Sequence, residues 1–442
     1  MNHWRSILTL VCAALATGAL SFAQATTPAA TDPLKLNPAT GCMEARFSGQ
    51  EPDAQRTVTA TAILESLRSG HCLRVDSAII QGDVDLRALP VNGVDSAGGD
   101  LVSINGAFVV THSSFSGALI GSKDDAGLRV RFKGPVVFSG STFGELDLSE
   151  AQLEQEALFD QTQLGNVRFD RVQAHSINFR QARFDNPVFL TGMKVTDTLD
   201  LSGARFSSLL RAFGLTASRL LLDQANFETT TDFTGARVVD LSARGARFVQ
   251  GVDFTRSAFQ GMVDLEGVQC EGPAQFSEST FGGTASFRGA HFAGTADFAQ
   301  TRFRSEVFFV GAVFEQTALF SHVAFQHSAH FTQAQFLAPS SFDQAQFLGW
   351  TDFRGTHFAA LDLSKALFAN SVGPDWDGAT FSTEANLDGI SSVGTWRAEQ
   401  GQFKGSYEFL PAQRRFAQTL KLILLGATTA GVAVMLLMRL LQ

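Results

Sequence analysis

Large apolar residues stand at positions 248, 254, 259, 265, 270, 276, 281, 287, 292 and 298, with steps that alternate between six and five. The row continues through Phe303, Phe309, Phe314, Phe320, Phe325, Phe331, Phe336, Phe342, Phe347, Phe353 and Phe358 to Leu363 and Phe368. Two residues before most of them is a small or β-branched residue: Ala274 before Phe276, Ser279 before Phe281, Ala285 before Phe287, Ala290 before Phe292 and Ala296 before Phe298. Inward residues two apart with an outward residue between them are what a strand gives, and a turn every five or six residues folds such strands into coils. An α-helix, with about 3.6 residues per turn, does not hold a five-six step on one side.

Upstream the register is looser. Phe138, Phe143, Leu148, Leu153, Phe159, Leu164, Phe169, Phe179, Phe184, Phe189, Leu201, Phe206, Leu222, Phe227 and Phe233 fit it with skips. Before them, Val58, Ala62, Ile63 and Leu67 recur at helical spacing between Thr57, a suitable N-cap, and Gly70, which predicts a short helix over 58–68. From Cys72 to Leu86 the period becomes strand-like. Residues 42–110 therefore read as a cap and first coils, which shield the open end of a stack, and 111–393 as the solenoid proper. Trp376, Trp396, Phe403, Tyr407 and Phe409 read as the closure of its far end.

Units such as Gly289-Ala290-His291-Phe292 and Gln333-Ala334-Gln335-Phe336, with Asp-Leu forms at Asp147-Leu148, Asp200-Leu201 and Asp240-Leu241, resemble pentapeptide repeats. The resemblance implies an all-β, right-handed quadrilateral β-helix with four short faces per coil of 22 residues. It also implies that the phenylalanines from Phe276 to Phe358 point inward with the small residues that precede them.

Composition fits a dry aromatic interior, with 41 Phe against a single Tyr, whose hydroxyl would need a buried partner. A formal net charge of −9 leaves no overall basic field for nucleic acid, so no nucleic-acid partner is expected. The N-terminus has a short basic region, an apolar run from Ile7 to Phe22 and Ala23-Gln24-Ala25, the pattern of a secretory signal peptide over 1–25. Residues 26–41 read as a flexible leader. Export makes a Cys42–Cys72 disulfide the favoured pairing, with free thiols or a disulfide to a partner as the alternatives.

After a linker over 394–415, 17 uncharged residues between Lys421 and Arg439 make 416–442 a single membrane span, or else a hydrophobic helix packed on the solenoid end or lying in the interface. The small-residue pairs Gly426 with Ala430 and Ala427 with Gly431 would permit a homodimer.

The mature chain has no GxSxG, HExxH, Walker-type or GxGxxG motif, and no cofactor is expected. His330 and Asp352 share an outward column in adjacent coils and form the one candidate surface site, an acid–base or metal pair without an aligned third ligand. Their ordinary reading is an exposed polar face. Asp253, Asp264, Asp297, Asp352 and Asp362 each precede a central residue and so face outward, spread over different faces. The expected function is a non-enzymatic protein-interaction scaffold on the periplasmic side of a bacterial cytoplasmic membrane, with an unidentified protein partner. A DNA-mimicking topoisomerase binder, which the resemblance suggests, and a carbohydrate-binding or carbohydrate-cleaving β-helix are the alternatives.

Overall fold

The computed structural model describes residues 33–95, 98–121, 127–393 and 402–403. The expected signal peptide and membrane span, with Trp396, Tyr407 and Phe409, lie outside the described residues. No helix among the described residues is long and apolar enough to cross a membrane.

Short strands wind into a parallel β-solenoid of about 15 turns. Where the repeat is regular, each coil holds four two-residue strands, as in Gln269–Cys270, Ala274–Gln275, Thr280–Phe281 and Ala285–Ser286. Each pairs in parallel with the strand 22 residues on: Gln269 with His291, Ala274 with Ala296, Thr280 with Arg302 and Ala285 with Val307. The second residue of the first and third strands points inward, as does the first residue of the second and fourth.

Coil length explains the looser pattern upstream. Asn226 pairs with Arg247, Gln163 with Arg183, Ser114 with Thr142 and Ile79 with Ser114, so successive coils run shorter or longer than the regular repeat.

The interior is stacked phenylalanine. Phe276, Phe298, Phe320 and Phe342 form one pile with centroids 4.9, 4.9 and 4.6 Å apart and rings within 5° of parallel. Phe287, Phe309, Phe331 and Phe353 form a neighbouring pile at 4.7, 5.1 and 5.0 Å. The two piles meet edge to face, as between Phe298 and Phe309 at 5.4 Å and 84°, the geometry that the ring quadrupole favours. Three inward hydroxyls donate to a phenylalanine carbonyl of the preceding coil: Ser257 to Phe233, Ser279 to Phe254 and Thr301 to Phe276. These buried hydroxyls are thereby satisfied.

Every second corner needs a left-handed residue. Gln300, Gly311, His322, Gln333, Gln344 and Gly355 hold φ of 58°, 65°, 57°, 57°, 57° and 64° at successive such corners. Glycine thus fills only some of the positions that favour it, and glutamine carries the backbone penalty at others.

The N-terminal end departs from expectation in two places. The helix α1 spans Ala60–Arg68 with Thr59 as N-cap, its side chain accepting from the Ala62 amide. Val58 instead belongs to the strand Thr57–Thr59, which pairs with Ile79–Gln81 and thereby displaces the helix start. Within the expected flexible leader, Lys35–Leu36 pairs antiparallel with Met43 and Glu44, and the side chains of Asn37 and Thr40 both donate to the Glu44 carboxylate. Cys42 and Cys72 are register partners on neighbouring parallel strands and form a disulfide, with Cα atoms 4.5 Å apart. At the other end the Trp376 ring covers Phe353 at 4.2 Å.

Candidate functional site

Ser286, Phe308, His330 and Asp352 follow one another in a single outward column, one per coil. The solenoid register alone brings His330 beside Asp352, the pair that the sequence selects. Its surroundings are aromatic. The His330 ring stacks on Phe308 at 4.6 Å and 8°, and meets Trp350 edge-on at 5.6 Å. The Arg288 guanidinium lies 4.1 Å over the Phe308 ring, and that of Arg354 lies 5.8 Å from the Trp350 ring.

Asp352 corrects the expectation of a surface site: its residue is only 1% exposed. Arg354 grips the carboxylate bidentately, Nε to Oδ1 at 2.9 Å and Nη2 to Oδ2 at 2.7 Å. The Thr332 hydroxyl donates to Oδ2 at 2.8 Å, and the Arg354 amide donates to Oδ1 at 3.0 Å. Burial works against the charge, but these hydrogen bonds outweigh it and hold the Asp352 carboxyl below its usual range. Burial also lowers the affinity of half-buried His330 for its proton, against the raising influence of Asp352 and Glu306. With both carboxylate oxygens engaged, Asp352 has no free lone-pair direction toward His330 for acid–base work.

The outward aspartates share a structural task. Asp253, Asp264, Asp297, Asp352 and Asp362 each accept the backbone amide two residues on, from Thr255, Glu266, Ala299, Arg354 and Ser364. This Asx turn fixes the corner that leads into the left-handed residue. The acidic residue before a central Phe or Leu is therefore a turn device at all five positions.

The other histidines do not join the pair. His291 and His357 lie in one column, separated by Val313 and Gln335, with His291 against Glu315 at 2.7 Å and His357 against Thr380 at 2.9 Å. His322 holds a left-handed corner. Among the described residues no group of three or more His, Cys, Asp or Glu is placed to hold a metal ion. Cys270 is buried, which pushes its thiol up to about 12.

Sequence reasoning missed Arg288, Phe308, Trp350, Thr332 and Arg354. The signal was present in Phe308, which stands next to the inward Phe309 and so has the wrong parity for the core.

Residues 265–313, 276–324 and 320–367 match the family described as Pentapeptide repeats (nine copies). Residues 265–367 of this chain are thus shown to carry pentapeptide repeats. Among solved structures, this chain is similar to HetL, a pentapeptide repeat protein involved in heterocyst differentiation regulation from a Nostoc cyanobacterium. The identity is 14%, over 58% of this chain and 88% of HetL, with a TM-score of 0.26. No curated protein matches the chain. The aromatic strip lies within the matched pentapeptide repeats, whose regular positions supply the column that carries it.

Proposed function

We propose that this pentapeptide-repeat protein is a non-enzymatic scaffold that is exported, held at the bacterial cytoplasmic membrane by residues 416–442, and binds a protein partner on its outward face. The finer geometry proposed for it is a right-handed quadrilateral β-helix. The observation that carries the scaffold reading is how the polar groups are used. The outward aspartates close turns, Asp352 is bound by Arg354 and Thr332, and the interior is filled by stacked rings. What remains outward is a strip of aromatic and arginine side chains, the residue types that dominate protein–protein contacts.

The N-terminal basic–apolar–Ala-Gln-Ala pattern and the uncharged C-terminal run support export and tethering. The test is crosslinking and affinity capture from membranes with the full chain and with a chain lacking residues 416–442. The reading expects a specific crosslinked protein, with the truncated form released from the membrane fraction. A full-length protein that is cytosolic and protease-protected until lysis would remove the export and tethering parts.

A further inference from the structure

The outward side of the third strand of each coil leaves its cations unmatched. One column there runs from Arg237 through Thr280 and Arg302 to Ser391. A second, beyond the inward residue, runs from Val239 through Gly282, Arg304 and Leu348 to Val393. Neither column holds a carboxylate over this length, although the chain has a formal net charge of −9. Elsewhere outward arginines are matched across coils, as Arg205 with Glu228, Arg244 with Glu266 and Arg247 with Glu271. Arg237, Arg302 and Arg304 are exposed and make no ion pair among the described residues. At the bordering corners Arg256 and Lys365 offset Glu278 and Glu306, and Asp240, at the upstream end, accepts the Met262 amide.

Apolar side chains share this surface. Val239, Leu348 and Val393 are exposed members of the second column, and Met262, 58% exposed, stands at the corner that follows Val239. Guanidinium groups interleaved with exposed apolar groups suit an anionic bilayer, where lipid phosphates meet the cations and the apolar groups enter the headgroup boundary. Nucleic-acid phosphates would use the arginines and leave Val239, Met262 and Leu348 in water. Salt screens charge over about 8 Å at physiological ionic strength, so the groups at the contact decide the attraction rather than the net charge. Position agrees with this. Arg302 stands four coil steps, about 19 Å, from Ser391, at the end of the solenoid from which the chain continues toward residues 416–442.

Resting on the membrane-tethered reading above, we infer that this third-strand surface docks along the anionic phospholipid bilayer to which residues 416–442 hold the chain. Arg237, Arg302 and Arg304 lie on lipid phosphates, and Met262, Leu348 and Val393 lie at the headgroup boundary. The lipid thus meets one side of the solenoid as well as the C-terminal run.

The probe is the full chain with Met262→Cys carrying an environment-sensitive fluorophore, reconstituted into phosphatidylcholine vesicles with or without about a quarter of phosphatidylglycerol. Cys270, the free thiol among the described residues, is buried, so the label is specific. A control label is placed by Gln275→Cys, exposed on the second strand of its coil. With phosphatidylglycerol present, a nitroxide on the lipid is expected to quench the Met262 label and not the Gln275 label, and phosphatidylcholine alone should leave both unquenched. Arg302→Gln together with Arg304→Gln should lower the ratio of docked to undocked chain about thirtyfold, about fivefold for each arginine. Arg302→Lys with Arg304→Lys should keep most of the docking, and thermal melts that match the unmodified protein establish that the variants fold. An unquenched Met262 label, equal quenching in both lipids or of both labels, or indifference to the glutamine pair overturns the inference while the tether stands. A Met262 label shielded from lipid nitroxide and aqueous iodide alike overturns it in favour of a second copy of this chain on the surface. If phosphatidylcholine vesicles lose the chain on washing, the tether falls, and the docking inference survives only if phosphatidylglycerol vesicles still retain the chain through Arg302 and Arg304.

Discussion

Asp352 and its equivalents show how one side chain can read as chemistry and serve as architecture. Replacing Asp352 with Ala removes an acceptor for the Arg354 amide and both guanidinium contacts, and leaves the Thr332 hydroxyl and the Arg354 side chain unpaired. Because the Arg354 side chain is 51% exposed, some of this loss is recovered by water, and a cost of about 2 kcal/mol is expected in denaturant unfolding. Asp352→Asn keeps the amide acceptor, so it should cost about half as much. The pH dependence has a defined sign. A carboxyl held below its usual range stabilises the fold above its unfolded value of about 3.9, and that contribution fades as pH falls through the folded value. The stability difference between the unmodified protein and Asp352→Asn should therefore be flat above about pH 5 and shrink below about pH 4. A difference that grows in acid would contradict the arrangement.

The left-handed corners allow a second test at the residue scale. Gly311 and Gln333 occupy the same corner in adjacent coils, at φ of 65° and 57°, and a Cβ at Gly311 would meet no atom within 4 Å. Gly311→Ala therefore probes backbone strain alone and should destabilise by about 1 kcal/mol. Gln333→Gly should relieve a similar strain and raise the melting temperature, less the added entropy of the unfolded glycine. Opposite shifts in paired thermal melts are the expected result.

At the scale of elements the stacked piles dominate. Phe309 stacks on Phe287 and Phe331 and meets Phe298, Phe303 and Phe320 edge to face. Phe309→Ala should cost about 3–5 kcal/mol, and Phe309→Asp or Phe331→Asp more, because a carboxylate would sit unpaired among rings. Retention of full stability by either aspartate variant would refute the inward register. That register is legible in the sequence because the five-six step admits only one side for its large residues.

Other features are less legible, each for a physical reason. The start of α1 lies two residues beyond the expected one because Val58 satisfies a helical period and a strand pairing equally well. The turn positions are legible only where glycine marks them, since glutamine at Gln300 or Gln333 adopts the same backbone without advertising it. For the candidate site, a column count is enough to place His330 beside Asp352. The burial of Asp352 is hidden because a column count does not reveal that Arg354, two residues on, folds back onto the carboxylate, or that Thr332 reaches it once the coils stack.

Over the whole solenoid, each coil is held by the coils before and after it, so damage should stay local in a way that a globular core does not allow. The disulfide tests this at one end. Cys42 and Cys72 tie the first parallel pair, and the loop between them contains the strand Thr57–Thr59 and helix α1, which cover the first coil. Closing a loop of this length restricts the unfolded chain by an amount equivalent to about 3–4 kcal/mol. In a Cys42→Ser and Cys72→Ser double variant that loss falls on the cap. Hydrogen exchange should therefore accelerate across residues 42–86 while the stacked coils from Phe276 to Phe358 keep their protection. Uniform acceleration along the chain would mean that coils far from the cap share its stability. A cap that exchanges unchanged would mean that the pairing of Lys35–Leu36 with its neighbour strand, together with α1, already seals the end without the covalent tie.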